Sequence, residues 1–219
     1  VVDIFDEVEE ELRAERAQKL LLRYGGVIVA ACIAVVAAGA GWQAWHWWQA
    51  RQDAAAAARY ISMANLADTP NLAPNVRAAA IAGLNELVAN APEGYRTLAR
   101  LRDAALRADG GDLQGALGLW EQVAADPSAE PLLRDLATLL WAQRQIDQGD
   151  PSLLTARLAP LAAPGNPWRP LAQEQLALLD LRQGHTEAAR TALQKLADDV
   201  TAPNGVRARA SALVSRLAG

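Results

Sequence analysis

The sequence predicts an all-α protein: one N-terminal transmembrane helix followed by an α-helical repeat domain. Three observations carry that expectation. Residues 25–50, GGVIVAACIAVVAAGAGWQAWHWWQA, contain no Asp, Glu, Lys or Arg, and a bilayer core asks for roughly 20 apolar residues in helix. Downstream, helix-length segments alternate with Gly/Pro turns, and runs of β-branched residues are absent. Two of those segments repeat one pattern of small, glycine and bulky positions, 73 residues apart.

The span comes first. From Val27 to Ala40 the only polar side chain is Cys32. A lone segment in lipid must satisfy its own backbone hydrogen bonds, which dictates helix. Trp42, Trp45, Trp47 and Trp48 crowd one end; indoles prefer the headgroup level, so they form an interface belt. Arg23 and Tyr24 stand at the other end. The alternatives are a buried core helix and a cleaved signal peptide. A signal peptide needs a short basic leader, whereas the first 23 residues hold seven acidic and four basic side chains, so the reading is an uncleaved anchor. Arg13, Arg16, Lys19 and Arg23 precede the span, against Arg51 and Arg59 over a similar distance after it. The excess of basic residues marks the cytoplasmic side. The expectation is therefore a membrane protein with a cytoplasmic acidic amphipathic helix over residues 1–23, a transmembrane helix over 24–50 and a domain over 51–219 on the other side, which for a bacterial inner membrane is the periplasm. Gly26, Ala30, Ala34, Ala38 and Trp42 recur every four residues, a spacing that lets a second helix approach in the membrane; alanine is also abundant throughout the chain, and that reading stays open.

In the N-terminal flank Ile4, Val8 and Leu12 lie along one helical stripe, and Asp3 is placed to cap it. No proline occurs before Pro70, so one helix is expected from about Ile4 to about Leu66. Beyond it, helices are expected at Val76–Asn90, Tyr95–Ala108, Leu113–Ala125, Leu132–Gln148, Ser152–Ala162, Trp168–Gln183, Thr186–Val200 and Val206–Leu217, with Asp112, Asp150 and Ser152 available as N-caps.

Composition narrows the function. About 170 residues follow the span, enough for one domain with a sizeable core. After residue 23 the chain holds 17 basic and 18 acidic side chains. That balance argues against a nucleic-acid surface, which requires clustered Lys and Arg. The single cysteine, Cys32, forms no intrachain disulfide and reads as a small apolar filler.

The repeat emerges when Ala116 is aligned with Ala189. Each has a Gly five residues earlier (Gly111, Gly184) and an Ala twelve earlier (Ala104, Ala177). Each has a large apolar residue four later (Trp120, Leu193). Small residues where two helices meet, a turn glycine and a bulky filler form the skeleton of a tetratricopeptide repeat. The 73-residue separation accommodates two periods of about 34 residues plus a short insertion. Residues 132–162 then form a degenerate middle repeat; a generic antiparallel helical array is the plainer alternative.

With these features in view, the chain resembles the membrane-anchored tetratricopeptide-like family related to YfgM, the ancillary subunit of the Sec translocon. The opening DIFDEVEEELRAERAQKLLLRYG (3–25) is similar to alphaproteobacterial members. So is the ending LAQEQLALLDLRQGHTEAARTALQKLADDVTAPNGVRARASALVSRLAG (171–219). The resemblance implies a periplasm-facing domain that contacts the translocon and periplasmic chaperones or envelope proteins. It implies no catalytic residue. The middle of the chain departs from the repeat pattern.

Catalytic chemistry finds no foothold in the residues. His46 and His185 are the only histidines, no metal-ligand spacing exists, and Gly110–Gly111 is followed by Asp rather than by a phosphate-loop Lys. Asp198 and Asp199, adjacent on a helix, point to different sides. His46 reads as a polar interfacial residue, with ligation of a pigment-type cofactor as the alternative. No enzyme activity, cofactor, metal, small-molecule substrate or nucleic acid is expected; the expected partners are the lipid bilayer, other membrane proteins and periplasmic proteins. In repeats of this type the first helix of each pair lines the concave face. The aligned spacing assigns Leu98, Leu101 and Ala105 to that face, then Arg134, Thr138 and Trp141, then Leu171, Glu174, Leu178 and Arg182, with Arg134, Trp141, Glu174 and Arg182 as candidate binding residues. Such a groove holds an extended peptide or an amphipathic helix, or is filled by the protein's own helices. The function expected is a membrane-anchored protein–protein interaction scaffold at the translocon or its chaperones. The alternative is an accessory structural subunit of a bioenergetic inner-membrane complex, docked by its span.

Overall fold

The computed structural model describes residues 4–69 and 72–217, with side chains from Arg23 onward. Every described element is helical, and the chain divides into two compact units, Val1–Asp53 and Ala54–Gly219. The expected Asp3 cap and the stripe of Ile4, Val8 and Leu12 lie outside the residues whose side chains are described.

Helix α1 runs Ile4–Ala67 without interruption. Gly25, Gly26, Gly39 and Gly41 lie inside it; each costs roughly 1 kcal/mol of helix propensity against alanine, which a run of this length absorbs. The helix ends where Asp68 and Thr69 form a turn ahead of Pro70. One stretch of α1 is long and apolar enough to cross a membrane, and no part of its most apolar window is buried.

The second unit is a series of antiparallel helix pairs: α2 (Pro74–Asn90), α3 (Glu93–Asp109), α4 (Leu113–Ala125), α5 (Pro131–Gln145), α6 (Pro151–Leu158), α7 (Arg169–Arg182), α8 (Thr186–Asp198) and α9 (Asn204–Leu217). Proline opens α2, α5, α6 and α7, where its missing N–H would have had no partner in any case. Asp112 caps α4 by accepting from Gly115 N–H at 3.0 Å, and Asp150 caps α6 by accepting from Ser152 N–H at 2.9 Å. Ser152 is therefore a capped residue and not a cap, a correction to the sequence reading. Other boundaries shift by at most two residues, and two helix ends move further. Helix α6 stops at Leu158 instead of Ala162, because Pro160 supplies no N–H donor to continue it. Helix α5 stops at Gln145 instead of Gln148, and the chain turns there with Gly149 N–H donating to Gln145 O at 2.7 Å.

The repeat pattern is realised atom by atom. Gly111 and Gly184 have φ of 91° and 81°, the left-handed region open to glycine. Behind them Asp112 N–H donates to Arg107 O, and His185 N–H to Asp180 O, each at 2.9 Å; both helices thus end in the same Schellman motif. Ala104, Ala116 and Trp120 are buried at the first hairpin, and Ala177, Ala189 and Leu193 at the last. The middle hairpin follows the same spacing with Ala142, Gly149, Leu154 and Leu158, its three side chains fully buried. Leucine has replaced the small residue of the second helix.

Among the described residues three apolar clusters follow one another along the series. One joins Tyr60, Met63 and Leu66 of α1 to Leu84, Leu87, Ala99 and Leu106; Gly83 faces the Met63 side chain, where a Cβ would collide. The second runs from Leu101 through Trp120, Trp141 and Leu158 to Leu179. The third joins Ala177 and Leu193 to Val206 and Ala210 of α9. Five arginines reach back by 34 to 36 residues: Arg102 to Asp68, Arg144 to Asp109, Arg157 to Glu121, Arg182 to the Ile146 carbonyl and Arg209 to Glu174. That separation is the repeat period itself, so these contacts tie each helix pair to the one before it.

Candidate functional site

Helices α5, α7 and α9 are the first members of successive pairs, and they enclose a groove of about 600 Å³. Helix α5 contributes Leu139 and Gln143. Helix α7 contributes Leu171, Glu174, Gln175 and Leu178, and α9 contributes Arg209, Ala212, Leu213 and Arg216. The spacing explains the convergence: 171, 174/175 and 178, like 209, 212/213 and 216, are one face of a helix at i, i+3/i+4, i+7. Leucines come from all three helices and Ala212 from α9; the charged groups are Glu174 of α7 and Arg209 and Arg216 of α9, and Gln143 and Gln175 add uncharged amides.

Glu174 is 4% exposed. A buried carboxylate needs a charged partner and further hydrogen bonds. It has both from one residue: Arg209 donates Nε–H to Oε1 at 2.7 Å and an Nη2–H to Oε2 at 2.6 Å. This two-point fork fixes the guanidinium plane and raises the Arg209 pKa further. Arg209 itself remains more than half exposed.

A second polar cluster lies at the α3–α4 turn. Asp103 is 1% exposed, and desolvation pushes its carboxyl above the ordinary value despite the Arg107 Nε–H bond at 2.8 Å. Arg107 also reaches Asp112 at 3.1 Å. The Gly115 N–H and Arg107 together hold the Asp112 carboxyl below the ordinary value. This cluster locks the repeat turn and does not line the groove of α5, α7 and α9.

The sequence-assigned groove residues divide. Leu171, Glu174 and Leu178 lie where the spacing put them. Arg182 is spent on the middle hairpin, donating to the Ile146 and Gly149 carbonyls at 2.7 and 2.6 Å. Trp141 is only 6% exposed, inside the second core cluster, with the Arg157 guanidinium stacked 4.1 Å from its ring. Thr138 faces a different hollow, beside Glu121 and Arg157, and Arg134 lies half-buried at the start of α5 with its carbonyl accepting from Thr138 Oγ1. Leu101 is a core residue, and Leu98 and Ala105 are half-buried on α3. The α5 assignments are thus corrected, and the cause is register. Aligning Ala142 with Ala177 makes Leu139 and Gln143 the counterparts of Glu174 and Leu178, so Gln143 takes the place assigned by sequence to Trp141, two residues away. A slip of two residues rotates a helical position by about 200°, from the groove to the far side. Sequence reasoning also missed Arg209, Leu213 and Arg216, although their i, i+4, i+7 spacing in the last helix carried the signal.

On α1, Val27, Ile28, Val29, Ile33, Val35 and Val36 are all exposed, as are Trp42, Trp45, Trp47 and Trp48. Trp42 meets His46 edge to face at 4.4 Å, Trp45 and Trp48 lie 5.6 Å apart, and Arg51 stacks over Trp47 at 4.0 Å. Gly26, Ala30, Ala34 and Ala38 are exposed too.

Stacked helix pairs with a shared small–glycine–small register define a helical repeat module, a class whose exposed grooves bind other proteins and generally carry no catalysis. The family model described as tetratricopeptide repeat-like domain matches residues 19–208. The chain belongs to that family. No curated protein and no solved structure matches it.

Proposed function

We propose that this protein is a single-pass inner-membrane scaffold of a bacterium. In this reading residues 1–23 lie in the cytoplasm, 24–50 cross the bilayer and 51–219 form a periplasmic interaction domain. The observation that carries it is the joining, in one chain, of a helical stretch whose apolar side chains are all exposed from Val27 to Trp48 to a repeat domain with a groove. Exposed valine and isoleucine over a span of this length stabilise only in lipid. The four tryptophans supply the interfacial anchor, and the basic flank of residues 13–23 supports an N-in orientation. The resemblance of both ends of the chain to the YfgM-related proteins points to the Sec translocon and its periplasmic chaperones as partners. The face of Gly26, Ala30, Ala34, Ala38 and Trp42 is the contact proposed within the membrane. Arg134, Trp141 and Arg182 support the domain, and Glu174 belongs to the groove.

Topology is tested by reporter fusions: alkaline phosphatase joined after Asp53 is active, whereas a fusion before Arg23 is not. Partner choice is tested by photo-cross-linking in cells from Ala34 and from Leu178. Adducts with translocon subunits from Ala34, and with periplasmic proteins from Leu178, support the reading. A chain released from membranes by alkaline washing sinks it.

A further inference from the structure

The groove of α5, α7 and α9 carries charge of one usable sign. Among the described residues Glu174 is the only carboxylate on it, and both of its oxygens are bonded by Arg209. At 4% exposure it offers nothing to a basic partner. Arg209 uses Nε and Nη2 on Glu174, is more than half exposed, and has Nη1 left over among the described residues. Arg216, exposed, stands seven residues further along the same edge of α9, about 10 Å away by helical rise. The rest of the lining is apolar, Leu139, Leu171, Leu178, Ala212 and Leu213, apart from the uncharged amides of Gln143 and Gln175.

We propose that this groove selects an acidic, leucine-type segment of a partner protein, the apolar side chains seated between α7 and α9 and the carboxylates on Arg209 and Arg216. The proposal rests on the scaffold reading and adds a charge rule to it. Arg is the residue suited to such a task, because its planar donors match a carboxylate in two-point geometry. Glu174 is then a positioning residue: it holds the Arg209 fork in one orientation, which lowers the cost of ordering that side chain when a ligand arrives. Charge complementarity at a partly exposed edge sets the choice of partner and the salt dependence more than raw affinity.

The test uses the full chain in detergent and two fluorescein-labelled peptides, one of leucines interspersed with glutamates and a twin with lysines in their place. The glutamate peptide is expected to bind about tenfold or more tightly than the twin, the difference shrinking as salt is raised. Arg216→Lys keeps the order of affinities, and Arg216→Glu inverts it; Arg216 is exposed, so circular dichroism of both variants stays unchanged. Leu178→Ser weakens both peptides. Equal affinities, a preference for lysine, no binding of the glutamate peptide, or an order unmoved by Arg216→Glu overturns the charge rule. Cross-links from Leu178 in cells separate the two levels. If they form while the peptides are not discriminated, the scaffold reading stands and the charge rule falls; if they form from neither Leu178 nor Leu213, the scaffold reading falls and takes the charge rule with it.

Discussion

The hairpins α3–α4 and α7–α8 and the hairpin α5–α6 solve one packing problem in two ways. In the outer two, Ala116 and Ala189 are fully buried where the second helix meets the first, and the turn runs through a glycine of positive φ. In the middle one Leu154 is fully buried at the same position, and Gly149 is not among the positive-φ glycines. Leucine holds two helices further apart than alanine does. The middle pair absorbs the extra volume with a second helix of eight residues and a different turn, while Arg182 bridges back to its carbonyls. The lesson is that the repeat is conserved in spacing and freed in volume: a methyl can become an isobutyl, provided the turn and helix length change with it.

That comparison can be broken at several points. The largest expected effect is at the bulky position shared by all three hairpins. Trp120→Ala should cost about 3–5 kcal/mol and Leu158→Ala or Leu193→Ala about 2–5 kcal/mol, read by urea unfolding of the full chain in detergent followed by far-ultraviolet circular dichroism. Similar losses at all three sites support a shared register; a neutral Leu158→Ala removes the middle hairpin from the series. Next come the opposed substitutions at the small position. Leu154→Ala opens a cavity worth about 2–5 kcal/mol, while Ala189→Leu overpacks its hairpin by about 1–3 kcal/mol. If Leu154→Ala stabilises the chain instead, the middle hairpin is an imperfect copy of the outer ones and not an alternative solution.

The turns give a smaller and more pointed contrast. Gly184→Ala forces a side chain into the left-handed region, at about 1–2 kcal/mol. Gly184→Asn should cost less, since asparagine tolerates that region. At Gly149 no such order is expected between Ala and Asn. An Asn advantage at Gly149 as large as at Gly184 would mean that the two turns are alike.

The smallest effects are those of pH, and their signs differ between the two kinds of carboxylate. Asp112 and Asp199 have depressed values in the folded chain, Asp112 chiefly through the Gly115 N–H and Asp199 chiefly through the Thr201 hydroxyl. Their contribution is complete above the unfolded value near 3.8 and disappears as pH falls through the folded one. Asp103 is raised by burial, so its ionised form opposes folding, and that opposition fades as pH falls through its folded value. Acid titration of stability should therefore show Asp112→Asn losing its deficit against the native chain below the carboxylate range. Asp103→Asn should gain relative to the native chain as pH is raised out of that range. The opposite sign for Asp103→Asn would mean that Arg107 outweighs desolvation.

Much of this fold was legible in the residues. The uncharged run at 25–50, the caps Asp112 and Asp150, and the paired turns at Gly111 and Gly184 announce themselves, because each is a local rule of solvent, hydrogen bonding or backbone sterics. The groove was legible on α7, where the aligned repeat supplied Leu171, Glu174 and Leu178. It was illegible on α5, where leucine stood at the small position and the alignment slipped by two residues. It was missed on α9, which had not been aligned with the other first helices.

The sequence by itself determined that the chain is helical, that one segment is long and apolar enough for a membrane, and that the helices repeat with a tetratricopeptide spacing. Those properties follow from hydropathy, capping and period, which act over neighbouring residues. Only the tertiary structure decided that Gln143 and not Trp141 lines the groove, that Glu174 is consumed by Arg209 rather than free, and that arginines stitch each pair to the previous one. Such choices depend on which residues from helices some 35 positions apart come to share one volume, and no periodicity along the chain encodes that.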